Sequence, residues 1–136
     1  MTDFAKQLQA ASQKIVVQTS EQAGKAAEML FDRVVDDTPV LTGALKGAWA
    51  ASQVAPLLAD TRKPDPNGTA TKAEIKAVIA GLPKTKDWTV FLANPKKYGP
   101  RIEYMSHSAK APYGMVRINL AKLPALIRQA IEKGTF

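Results

Sequence analysis

At 136 residues the chain is long enough for one domain with a modest core and too short for two ordinary ones. Apolar residues make up 46% and charged residues 23%, close to the average for folded soluble domains, which excludes a disordered or fibrous chain. There is no cysteine, so disulfides, thiol nucleophiles and thiolate metal sites are excluded, and a single His107 cannot build a histidine cluster.

The net charge of +7 is unevenly placed: residues 1–60 hold five Lys/Arg against seven acids, and residues 61–136 hold fourteen against five. A basic second half hints at a polyanionic partner, although a solvated face gives the same pattern. No apolar run is long enough to span a membrane. The opening MTDFAKQLQAASQK lacks the basic end and apolar block of a secretory signal, so a chain made and kept in a cytoplasm is expected.

From Asp3 to about Val35, apolar or small residues recur at Phe4, Leu8, Ala11, Ile15, Thr19, Ala23, Ala26, Leu30 and Val34. Steps of three and four predict one helical face. Thr2 or Asp3 can cap the start, and Pro39 ends the helix by Asp37 because a residue before proline is pushed out of the α region. Gly24 costs about 1 kcal/mol relative to Ala inside a helix, which leaves two readings, two helices or one long helix closely approached by another backbone, of which one long helix is favoured.

The next stretch, AWAASQVAPLLAD (48–60), alternates loosely through Trp49, Ala51, Val54 and Leu57 and predicts an edge strand limited by Pro56. DTRKPDPNGTA combines two prolines, Asn-Gly and four charges, so an exposed, flexible loop is expected near 60–70. TKAEIKAVIAGL predicts a short helix with Thr71 as its cap and Glu74 completing a capping box. WTVFLAN (88–94) reads as a strand. YGPRIEYM suggests a short helix or turn, SHSAKAP a loop, and YGMVRINLAKLPALIRQAIEKG a C-terminal helix kinked or restarted at Pro124 and closed by Gly134. Met115, Ile118, Leu123, Ile127 and Ile131 are its predicted buried stripe. The expected fold is α+β: a single domain over 1–136, with a long N-terminal and a C-terminal helix packed on a small, mainly antiparallel sheet and joined by short helices.

Catalytic chemistry finds little footing. Asp36 and Asp37 are neighbours at a helix end, about 100° apart, a poor arrangement for two acids working on one bond. A metal site from Asp36, Asp37, Glu103 and His107 is not called for by their spacing. His107 lies between Ser106 and Ser108, but adjacent side chains do not make a nucleophile and base, and no G-x-S-x-G elbow is present. Phosphate-cradling glycine motifs are also absent. No enzyme, cofactor or metal is expected. Arg101, Lys110, Arg117, Lys122 and Arg128 interleave with Tyr98, Tyr104 and Tyr113, a pattern that permits contact with a nucleic-acid backbone without any recognised binding motif.

Two stretches together resemble a known family. Thr38-Pro39-Val40-Leu41-Thr42-Gly43-Ala44-Leu45-Lys46-Gly47-Ala48-Trp49 is similar to the T-P-V-x-T-G-x-L-x-x-x-W joint of tailed-bacteriophage neck proteins, the tail-completion or head-tail joining proteins. Tyr98-Gly99-Pro100-Arg101-Ile102-Glu103-Tyr104, then Ala111-Pro112-Tyr113-Gly114-Met115-Val116-Arg117, resembles that family's Y-A-x-x-x-E-Y-G-x-S-x-x-A-P-x-G-M-V-R ending, with Asn94 ahead of it in place and Met105 where such proteins usually carry Gly.

The resemblance implies a structural virion protein, assembled in the host cytoplasm into a homo-oligomeric ring at the neck. The ring is commonly six-fold, with twelve-fold also open. It would sit between the head connector and the tail-terminator or tail-tube proteins, around the DNA exit channel, where nonspecific contact with genomic DNA is open and no membrane is involved. Thr38, Pro39, Thr42, Gly43, Leu45 and Trp49 would then form a structural joint: Thr42-Gly43 makes the tight turn, and Leu45 and Trp49 enter the sheet as anchors. Tyr98, Arg101, Glu103, Tyr104, Pro112, Gly114, Met115 and Arg117 would form a subunit or partner interface, with Glu103 and Tyr104 near a partner subunit or near Arg117. A tail terminator and a nonspecific DNA-binding protein are the alternatives.

Overall fold

A single helix, α1 (Asp3–Asp36, 34 residues), fills the span marked out by the apolar spacing. The fold comes from a computed structural model, which describes residues 3–40, 42–60, 62–96, 99–104 and 114–133. After α1 come α2 (Ala44–Gly47), β1 (Ala50–Ser52), α3 (Thr69–Ala80), β2 (Phe91–Ala93), α4 (Gly99–Tyr104), α5 (Val116–Leu120) and α6 (Leu123–Lys133). β1 and β2 pair antiparallel, with Ala50 opposite Ala93, Ala51 opposite Leu92 and Ser52 opposite Phe91. The class is α+β, mostly helical, with this two-stranded sheet. α1 packs on α3, α5 and α6, and α3 covers β1.

The core gathers Phe31, Val34 and Val35 of α1, Leu45, Trp49 and Ala51, Ile75, Ile79 and Leu82, with Ile102 and Met115 from the last third of the chain. Fully burying a side chain of this size stabilises by about 1.5–3 kcal/mol, so this cluster is the main favourable term. Gly24 leaves α1 unbroken; it lets the Ile79 side chain of α3 come close, a Cβ there lying 3.5 Å from Ile79 Cγ2.

The core covers α1 only in its second half. Its buried residues, Gly24, Ala26, Phe31, Val34 and Val35, all lie in the second half. Phe4, Leu8 and Ile15 are 73%, 58% and 57% exposed, because the other elements reach only the C-terminal part of a helix about 50 Å long. β1 is also shorter than the alternation suggests: Trp49 and Ala51 are buried, whereas Val54 and Leu57 are exposed.

The 60–70 stretch is exposed along much of its length, as expected, but it is tied down rather than loose. Asp65 N–H donates to Gly43 O (2.9 Å) and Arg62 Nε to Gly47 O (2.8 Å). Its acid also starts α3. Asp65 Oδ2 accepts from both the N–H and the hydroxyl of Thr71, each at 2.8 Å, while Gly68 stands at the cap position with φ 73°. Thr71 is therefore a buried donor inside the first turn and not the cap, and Glu74 pairs with Arg62 instead of reaching back.

The Asp65 carboxyl is partly desolvated, which works against its charge, but the hydrogen bonds from Thr71 and the N–H groups of Gly68 and Ala70 outweigh this and hold it below the usual carboxylate range. A group depressed in the folded chain contributes stability that is complete above its unfolded pKa and lost as pH falls through the folded value. Asp65→Ala is expected to cost about 1 kcal/mol at neutral pH, as for loss of a helix cap. Urea unfolding should show that deficit shrinking in acid; a deficit independent of pH would count against a charged cap.

The C-terminal segment is two helices. Pro124 sits in the opening turn of α6, where a missing N–H leaves no bond unmade. The break at Ala121–Lys122 rotates the second helix relative to the first, so the predicted stripe is out of phase: Leu126 and Ala130 are buried, and Ile127 and Ile131 stay about half exposed. Gly134 lies outside the described residues.

Candidate functional site

The first motif closes on itself. Thr38 Oγ donates to Val34 O (2.7 Å) at the end of α1 and accepts from Trp49 Nε1 (2.8 Å), all buried. One hydroxyl thus ends the helix and fixes the indole just before β1. Pro39 follows directly. Gly43 adopts φ 85°, and a Cβ there would stand 2.5 Å from Pro66 N. Thr42 Oγ1 accepts from Ala44 N–H (3.3 Å), so Thr42-Gly43 does turn the chain. What it opens, however, is the short helix α2, so Leu45 is anchored in the core from a helix and not from the sheet.

The second motif closes in the same way. The Glu103 side chain is only 7% exposed. Its carboxylate accepts from the backbone N–H groups of Met115 (2.8 Å), Val116 (2.7 Å) and Arg117 (2.8 Å), the free donors at the start of α5. Gly114, at φ 91°, is pressed so closely on Glu103 that a Cβ would collide with the carboxylate. Arg117 folds back, donating through Nη2 to Glu103 O while its guanidinium lies 4.9 Å over the Tyr104 ring.

Of the two neighbours expected for Glu103 and Tyr104, a partner subunit or Arg117, Arg117 is present within the chain, and the interface expectation is corrected for the buried residues. Glu103, Gly114 and Met115 are buried in the chain's own fold, whereas Tyr104 (66% exposed) and Arg117 face outward. Tyr98, Pro112 and His107 lie outside the described residues, as does the side chain of Arg101.

Asparagines flanking the second motif tie it to the first. Asn119, fully buried, donates from Nδ2 to Asp37 Oδ2 (2.8 Å) and to Met115 O (2.7 Å). Asn94 donates from Nδ2 to Leu45 O (2.8 Å). The roles of Asp65, Asp37 and Asn119 were not visible in the chain pattern. An Asp ahead of Pro-Asn-Gly-Thr and a polar residue within the apolar run MVRINL were the available signals.

The acids weighed for catalysis or metal binding are dispersed. Asp36 pairs with Lys72 (2.8 Å), raising the Lys72 pKa through that hydrogen bond; Asp37 holds Asn119 and Glu103 caps α5. Asp32, pushed up by burial and then by Glu28, lies one turn before Asp36 on α1, with the Lys72 charge working the other way. Among the described residues, no group of three or more His, Cys, Asp or Glu is placed to hold a metal ion.

The charge asymmetry is partly cancelled in space. Lys72 with Asp36, Lys84 with Glu21 (2.9 Å) and Lys96 with Asp60 (2.9 Å) each join a cation of the basic second half to an acid of the first. No helix is long and apolar enough to cross a membrane among the described residues. Comparison with protein-family models, with curated proteins and with solved structures gives no match.

Proposed function

We propose that the chain is a structural subunit of the neck of a tailed bacteriophage, a tail-completion or head-tail joining protein that assembles as a ring between the head connector and the tail. The observation that carries this reading is that the two stretches bearing the resemblance are tied together by residues beside them: Asn119 donates both to Asp37, next to Thr38, and to Met115 O, and Asn94 donates to Leu45 O. Residue types shared at those positions then have an architectural reason: a hydroxyl that fixes an indole, a glycine at positive φ, and a carboxylate that caps a helix. Such a subunit needs a rigid frame and exposed surfaces to present to its neighbours, and no convergent reactive groups.

The nonspecific DNA-binding alternative draws on the basic second half, and the three long-range ion pairs with first-half acids weaken it. Deletion of the gene from the phage that encodes it tests the reading. Filled heads and separate, unjoined tails are expected, with joined particles restored by the gene supplied in trans. Normal yields of joined, infectious particles without the gene would refute it.

A further inference from the structure

The N-terminal half of α1 presents an apolar face that its own chain leaves exposed. At about 100° of rotation per residue, Phe4, Leu8, Ile15, Thr19, Ala26 and Leu30 lie within about 40° of one line along the helix. Every charged residue from Asp3 to Asp32 is about 100° or more away from that line. The face therefore runs uncharged through both halves. In the second half it forms, with Leu123, Ile127 and Ile131 of α6, an apolar groove of about 340 Å³. Ile127 and Ile131 are 45% and 46% exposed on its rim.

We infer that two copies of this chain pair through these faces, the N-terminal arm of each α1 lying antiparallel in the groove between α1 and α6 of the other. Arm and groove are collinear on one helix and face the same way, so seating one arm seats the second: the contact is two-fold and closed. With the axis near residue 17, Ile15 of one copy meets the small, exposed Thr19 of its twin, Leu8 lies over the groove floor at Ala26, which is itself nearly buried, and Phe4 reaches the half-buried Leu30. In the first two pairs a large side chain faces a small one.

The area is sufficient. An arm over residues 4–16 is about 20 Å long and about 10 Å wide, and half-seated it covers about 300 Å² of itself and as much of the groove. Two such contacts bury about 1,200 Å², the low end of the range for specific interfaces. The pairing stands on this geometry and does not rest on the neck reading, since it concerns the free chain in solution.

Sedimentation equilibrium of the purified chain at about 50 µM is expected to give twice the chain mass, an affinity in the micromolar range that such an area supports. Leu8→Glu, which places a charge in the seam, should weaken pairing by about a hundredfold or more. The near-ultraviolet signal of Trp49 and Trp88 should be retained in that variant. Because the chain has no cysteine of its own, register can be read directly. Phe4→Cys and Leu30→Cys chains should form a disulfide when mixed and none when kept apart, because in each like pair the thiols lie well over 20 Å from each other along the axis. A monomer at this concentration, meaning that the face serves some other partner, or disulfides among Phe4→Cys chains alone, meaning parallel pairing, would overturn the inference.

Discussion

Glu103→Ala is expected to remove about 3 kcal/mol or more of folding stability, without any partner present. The carboxylate accepts three backbone N–H groups at the start of α5, and hydrogen bonds to a charged group contribute about 1.5–3 kcal/mol each where they are not rescued by water. Met115 is buried, so its N–H has no ready solvent substitute, and the side chain of Met115 sits in the core that α5 must hold in place. Urea unfolding should show a lower midpoint with little change in slope. Glu103→Gln, with one acceptor oxygen and no charge, should fall between. Were Glu103 instead a contact for another subunit, the isolated variant would unfold like the unmodified chain.

Gly43→Val should be of similar severity for a different reason. At φ 85° a β-branched residue is strained by about 1–3 kcal/mol, and its Cβ would meet the backbone of Pro66 at 2.5 Å, where no side-chain rotation gives relief. The 62–66 segment would have to leave α2, taking the Asp65 N–H to Gly43 O bond and the cap of α3 with it. A fall in melting temperature on the order of 10 °C is expected from scanning calorimetry. Asp36→Asn is the contrasting change: its pair with Lys72 involves a side chain that is 54% exposed, and such pairs contribute about 0–1 kcal/mol. Equal melting of the two variants would contradict the account of the joint.

What was legible in the chain was local. Pro39 ends α1 within a residue or two of the expected place, Thr42-Gly43 turns the chain, and Pro124 starts a helix, each because one residue's own backbone chemistry decides the outcome. Less legible was anything set by distant parts. Asp65 and Glu103 cap helices from outside them, Glu103 across twelve residues, and no short pattern announces such a cap. The apolar period of α1 identifies its face but not which half of that face is covered, because coverage depends on where α3 and α6 reach. For α6 the phase was lost at a two-residue break. The resemblance alone placed Glu103 at an interface, and nothing in the stretch Ile102-Glu103-Tyr104 signals its burial. Burial changes its meaning, leaving Tyr104 and Arg117 as the outward-facing members of that stretch.

The central claim, a structural part of the neck, is tested most directly by quantitative mass spectrometry of purified virions, with the copy number of this chain taken against the portal protein. About six or twelve copies per particle are predicted, the numbers that a closed ring at the neck requires. Absence of the chain from intact, infectious virions would contradict the claim and return the basic second half to consideration as a surface for nucleic acid.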